Sequence, residues 1–194
     1  MSPSERGAET RRRIVEAAIA EIAEKGWGAV RVRDVAARAD VNLALVHYHC
    51  GSKEALMLAA LDEALAAESE APVDALTAAG GPAEALEGLF AAALAIDMST
   101  PTARVLHEAM LVAVRDPDVA AHMRPALEGF RTLAAGALRT GDGAPGADDE
   151  AVAIGVAALV DGLVLHLLLD PDLPRERVAR ALADRLAGPG GGAR

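Results

Sequence analysis

Apolar residues recur at helical spacing along almost the whole chain, with no clear run of alternation that would mark a strand. Between Glu9 and Lys25, Ile14, Val15, Ala18, Ile19 and Ile22 fall on one face, and Gly26 follows as a left-handed stop. A shorter stripe, Val35, Ala36 and Ala39, marks a helix from Arg33 to Ala39. Asp40 stands where the chain must turn, and aspartate tolerates left-handed backbone angles better than most residues. Asn42 is placed to cap the next helix with its side-chain oxygen. In that helix Val46, His49 and Cys50 point back toward the preceding one, while Leu43, Ala44, His47 and Tyr48 face outward. Gly51 ends it, and Ser52 caps a further helix with Lys53 in its first turn. Two helices this short are marginal alone, so packing must hold them.

The same reading predicts a helix from Ser52 to about Glu70, then a break over 71–82 (APVDALTAAGGP) rich in Pro and Gly. Helices follow over 83–96, from the Thr100-Pro101 start to Arg115, and over 118–138 with Pro125 as a kink. After a loop at 141–149 come two more, 149–169 and 174–186. The fold class is all-α with nine helices. Residues 1–8 read as a disordered N-terminus and 188–194 as a flexible tail. The expected domains are 9–53, carrying the short helices, and 54–187.

Composition agrees with that class. The chain is 52% hydrophobic, with one Trp, one Tyr and two Phe, and such an alanine-rich, aromatic-poor chain favours helix. Residues 151–169 approach a membrane span in apolarity, but Asp161 sits at the centre and flanking anchors are missing. A helix buried on nearly all sides of a soluble bundle is the expectation. The N-terminus is too polar for a signal peptide, and a single cysteine excludes an internal disulfide and fits a reducing compartment. The reading is a cytoplasmic protein with no membrane partner.

The net charge of −10 argues against a nucleic-acid partner until the chain is divided. Residues 1–53 hold nine Lys/Arg against seven Asp/Glu, net +2, and the remainder carries net −12. Only nearby cations count toward phosphate. Arg11, Arg12 and Arg13 open the first helix, and Arg31 and Arg33 open the second, where the helix dipole disfavours cations. They form either a solvated charge run or an approach to phosphates.

The stretch Thr10 to Leu56 resembles the DNA-binding half of the tetracycline-repressor (TetR) family of bacterial regulators. The residues that carry the resemblance are TRRRIVEAA, Gly26-Trp27, VRDVA and VNLALVHYHCGSKEAL. Asp40 stands for a usual glycine, His47 for a usual tyrosine and Cys50 for a usual phenylalanine, the last a smaller core plug. The resemblance implies a TetR-like fold, with an N-terminal helix-turn-helix bundle and a C-terminal ligand-binding and dimerisation domain. It makes Asn42, Leu43, Ala44, His47, Tyr48 and His49 the DNA-facing set, with Arg31, Arg33 and Lys53 on phosphate. His47 and Asn42 can bond base edges, and Leu43 and Ala44 can touch thymine methyls.

Other signals point away from chemistry. His47 and His49 lie about 200° apart on a helix and cannot easily share an ion, so no metal is expected. No phosphate loop, nucleophile elbow or HExxH occurs, and no cofactor or catalytic residue is assigned. Residues 151–169 carry Val152, Val156, Leu159 and Leu163 on one side and Ile154, Ala158 and Leu165 on another, so the helix must be covered twice. With the stripe of Val178, Ala181, Leu182 and Leu186 this suggests a two-fold four-helix interface, expected at Val156, Leu159, Leu163, Val178 and Leu182. Phe90, Met98, His107, Met110 and Val114 are core by their pattern and the effector pocket by the resemblance. Between Glu54 and Val114 the one cation is Arg104, which favours an apolar or cationic small molecule over a phosphorylated one. The reading is a homodimeric repressor released from a pseudo-palindromic operator by that effector. The alternatives are a helical partner protein that has lost DNA binding, or a small helical enzyme.

Overall fold

The structure is a computed structural model and describes residues 2–140 and 144–186. The expected tail at 188–194, Met1, and residues 141–143 of the expected loop lie outside the described residues. Among those described there are nine α-helices, one 3₁₀ turn at Trp27–Ala29, and no strand. The helices are α1 (Pro3–Lys25), α2 (Val32–Arg38), α3 (Leu43–Cys50), α4 (Lys53–Ala78) and α5 (Pro82–Ala95). They continue with α6 (Pro101–Ala113), α7 (Pro117–Leu138), α8 (Ala147–Leu169) and α9 (Arg175–Leu186).

The chain forms two compact units. The first comprises Met1–Glu68 and Asp97–Met123, and the second Ser69–Ile96 and Arg124–Arg194. A single cut after residue 53 was the expectation, but α6 belongs with the N-terminal helices. Val105 of α6 is fully buried in the cluster of Ile14, Ala18, Ile22, Val35, Val46 and Leu56. A second cluster in the same unit joins Ala109 to Leu61, Val119 and Met123. The second unit has its own core of Leu76, Leu86, Leu89, Phe90, Leu94, Ala134, Ala135, Ala153, Val156, Leu167 and Ala179.

Two helix boundaries and the burial of one helix differ from the sequence reading. α1 begins at Pro3 because Ser2 and Glu5 cap it reciprocally. The Glu5 N–H donates to Ser2 Oγ at 3.2 Å, and the Ser2 N–H to Glu5 Oε2 at 2.5 Å, with proline at the first helical position. α4 runs on to Ala78 through Pro72. Proline costs the helix one backbone bond, but Leu76 beyond it is 3% exposed in the second unit's core, and that burial holds the last turns. α8 is not buried on nearly all sides. Ala153, Val156, Val164 and Leu167 are covered, whereas Val152, Ile154, Leu165 and Leu169 are exposed. The span Ala147–Leu167 has a mean hydropathy of 1.8, enough to cross a membrane by length and composition alone.

The turn after α2 forms where expected. Asp40 has φ 52°, the one positive φ outside glycine among the described residues. Its N–H donates to the Ala37 carbonyl at 3.2 Å, and the Val41 N–H to that of Ala36 at 3.0 Å. This is the paired bonding of a helix closed by a left-handed residue. Beside it Glu21, almost fully buried, joins α1 to α2 through Arg38 at 2.8 Å and holds Lys25 at 2.5 Å. Glycine adopts the left-handed geometry without a Cβ clash, so Asp40→Gly is expected to stabilise the folded chain by about 0.5–1 kcal/mol. A denaturant midpoint that falls in this variant would show that Asp40 contributes more through its side chain than the backbone loses.

Candidate nucleic-acid interface

α3 is short, and the structure shows how it is held. Asn42 Oδ1 accepts from the Leu45 N–H at 2.9 Å and closes the N-terminus. Val46, at 2% exposure, is its one fully buried side chain, while His49 and Cys50 are half-buried. Burial pushes the Cys50 thiol above its ordinary range, which keeps it protonated and unreactive. At the C-terminus Gly51 has φ 74°. Ser52 then caps α4, its Oγ accepting from the Ala55 N–H at 3.0 Å.

That leaves Leu43 (45% exposed), Ala44, Leu45, His47 and Tyr48 (81% exposed) turned to solvent. An exposed apolar surface on a helix held by its ends calls for a partner, and thymine methyl groups are one kind of contact it could make. Asn42 commits one lone pair of Oδ1 to its cap, and its amide nitrogen is not used by that bond. His49 differs from the outward set. Its ring meets Tyr48 edge-on at 5.1 Å, and Cε1 lies 3.9 Å from where a Cβ on Gly7 of α1 would stand.

The cations divide into two groups. Arg12 pairs with Glu9 at 2.6 Å and Glu16 at 2.5 Å, and Arg13 donates to the Ala39 carbonyl at the end of α2. Arg13 therefore braces the helix-turn-helix corner instead of reaching outward. Arg31 and Lys53 enter no ion pair among those described, and Arg33 is largely exposed with only a 3.6 Å contact to Asp34. The Lys25 ammonium lowers the Asp34 carboxyl, and the Arg38 guanidinium lowers that of Glu24. Both carboxyls are depressed by folding, so what they contribute is present at neutral pH and lost as pH falls through the lowered values.

The expected pocket and interface residues are not all where the sequence reading put them. Phe90 is fully buried in the second unit's core, whereas Met98, His107, Met110 and Val114 belong to the first. Val114 is 82% exposed and borders a surface hollow of about 450 Å³ with Leu111, Val112 and Arg115, so it lines no enclosed pocket. The His107 Nδ1 donates to the Ala103 carbonyl at 2.7 Å. Arg104 bonds the Met98 carbonyl at 3.3 Å. The second unit contains a cavity of about 310 Å³ lined by Leu86, Leu138, Thr140, Asp149, Val152 and Val156, among others. At the expected interface Val156 is 6% exposed in the chain's own core, so it has no surface left for a partner. Leu159, Leu163, Val178 and Leu182 are half-buried against the same core, and the uncovered side of α8 is that of Ile154, Ala158 and Leu165.

Two family descriptions match this arrangement. Residues 14–60 match the tetR family of bacterial regulatory proteins, and residues 82–188 match the C-terminal region of BetI-type transcriptional repressors. The chain is a TetR-family transcriptional regulator. It is 30% identical over 158 residues to the HTH-type transcriptional regulator BetI of Rhizobium meliloti (strain 1021), covering 80% of this chain and 76% of that one. A TetR-family member from Streptomyces coelicolor A3 superposes with a TM-score of 0.68 at 32% identity, covering 92% of this chain and 98% of the other. The multidrug binding protein EbrR complexed with malachite green gives 0.69 at 30% identity, covering 91% and 96%.

For a TetR-family regulator of this sequence, the residues the pattern missed lie on α1 and α3. α1 is helical from Pro3, and Gly7 near its start lies close to the His49 ring, a start that only the Ser2…Glu5 capping spacing could have signalled. Leu45, 36% exposed, joins the outward face of α3. Tyr48→Ala is expected to weaken operator binding by roughly 1–3 kcal/mol with oligomeric state unchanged. Lys53→Ala is expected to weaken specific and non-specific binding alike and to make the salt slope shallower by about one unit. Anisotropy titrations over a range of salt concentrations read both. Parent-like binding in the two variants would place the interface elsewhere.

Proposed function

We propose that the chain is a cytoplasmic homodimeric repressor that lays α3 in two successive major grooves of a pseudo-palindromic operator and is released by a small-molecule effector. The observation that carries the first part is α3 itself, with one buried valine, both ends capped, and Leu43, Ala44, His47 and Tyr48 turned outward. A helix presented this way fits the docking geometry of helix-turn-helix proteins, where N-terminal residues of the second helix meet base edges. Arg31, Arg33 and Lys53 supply phosphate contacts around it, within an acidic chain whose basic excess is confined to the N-terminal residues. A gel shift against the chain's own upstream DNA tests this. No shifted species at low salt would favour a helical partner protein without DNA binding.

The effector we assign is apolar or cationic. The 310 Å³ cavity of the second unit supports this, because its lining is mostly apolar and its one charged group is the Asp149 carboxylate. The related EbrR is described as a multidrug binding protein and is complexed with malachite green and with proflavin. Release requires that the effector bind the DNA-incompetent state more tightly, and DNA must then weaken the effector by the same factor.

The partner for the uncovered side of α8 is a second copy of the chain. Ile154, Ala158, Leu165 and Leu169 fall at helical spacing on one side, with Gly155 and Gly162 beside them leaving open space for close approach. Ile154→Arg and Leu165→Glu are expected to give monomers by light scattering, since each places a charge in a desolvated contact. Operator affinity should fall with them, because one half-site alone binds weakly. Dimers that survive both changes would move the interface off this face.

A further inference from the structure

Of the three departures from the family pattern, His47 is the one on the outward face of α3, and its surroundings fix what its ring can do. Nδ1 lies 3.2 Å from the Gly51 carbonyl oxygen. A carbonyl oxygen only accepts, so Nδ1 carries the hydrogen and donates it. In the uncharged ring the hydrogen then sits on that nitrogen alone, and Nε2 is left as a bare acceptor. The carbonyl that sets this tautomer is itself held. Gly51 has φ 74° and ψ −82°, and the Ser52 N–H spans it to the Cys50 carbonyl at 3.0 Å, a tight γ-turn open to glycine because it has no Cβ. The Gly51 N–H returns a bond to the His47 carbonyl at 2.9 Å, so the ring and the turn are linked twice. His47 is otherwise exposed, which leaves Nε2 available to a partner.

We propose that His47 is a specificity-determining residue whose Nε2 accepts a hydrogen bond from the exocyclic amino group of adenine or cytosine in the major groove. This rests on α3 being the recognition helix. Adenine N6 and cytosine N4 are the amino donors displayed in that groove, whereas guanine offers N7 and O6 and thymine offers O4, all acceptors. A bare Nε2 pairs with the first two and sets lone pair against lone pair with the others. A tyrosine hydroxyl at the same position would both donate and accept, and would make no such distinction.

The test is selection of operator half-sites from a randomised duplex library by the full chain. Wild type is compared with His47→Asn and His47→Gln. The shorter Asn amide can still donate toward the Gly51 carbonyl but ends short of the Nε2 position. The longer Gln reaches that position with both an acceptor and a donor. Wild type is expected to show one base pair per half-site at which adenine or cytosine is preferred over guanine and thymine on the same strand by roughly three- to tenfold, the size of one ordinary hydrogen bond. In His47→Asn that preference should fall to parity, with every other position of the site unchanged. His47→Gln should keep adenine at that pair, which its amide can bond twice. A His47→Asn profile identical to wild type would overturn the proposal, as would a wild-type preference for guanine or thymine that His47→Asn abolishes. A chain that selects no sequence at all would instead remove α3 as the reading helix, an outcome separate from a misassigned His47.

Discussion

An eight-residue helix cannot hold itself together in water, and α3 buries one side chain completely, Val46. Everything else about α3 follows from that constraint. Its stability has to come from its ends and from the corner before it, because a helix that buried more of its surface would have less to offer a groove. Asn42 closes one end and the Gly51 turn the other. Arg13 reaches from α1 to the carbonyl of Ala39, the residue that follows α2, and Glu21 ties α2 to α1 through Arg38. These contacts fix the corner without touching the outward face.

The same economy accounts for the distribution of charge. Three consecutive arginines stand in the middle of α1, away from its N-terminus, and Arg12 and Arg13 are engaged within the protein, one in surface ion pairs and one at the corner. Exposed pairs such as Arg12 with Glu9 contribute little to stability. Arg13 matters for geometry, since without it the Ala39 carbonyl would lose its guanidinium partner. Arg31 and Lys53 enter no ion pair among those described, and Arg33 has only its 3.6 Å contact to Asp34, so the fold makes little use of these side chains.

What could be read in the sequence was local. Asn42, Ser52 and Thr100 cap helices as their spacing indicated, Gly26 ends α1, and Asp40 takes the left-handed angle. Each depends on a few neighbouring residues and on backbone bonds that any chain must satisfy. What could not be read was set by partners distant in sequence. The turns of α4 beyond Pro72 persist because Leu76 is buried, although proline and glycine nearby suggested a break. α6 joins the first unit because Val105 and Ala109 are buried there, and no periodicity within 101–113 names its neighbour. The two apolar sides of α8 were visible, but Val156, Leu159 and Leu163 turned out to face the chain's own core, and Ile154 and Leu165 the outside. Of the candidate site, the outward face of α3 was legible because helical period and caps suffice to orient it. The pocket residues were not, since a buried phenylalanine and a ligand-lining one look alike along the chain.

The central claim is that α3 occupies the major groove at two half-sites, and chemical protection of bound operator tests it most directly. Dimethyl sulfate methylates guanine N7, which lies in the major groove, and adenine N3, which lies in the minor groove. With the full chain bound, the account predicts N7 protection in two tracts whose centres are about one helical turn, or 10 base pairs, apart, with adenine N3 between them still reactive. Unchanged N7 reactivity on a duplex that the chain demonstrably occupies would contradict it.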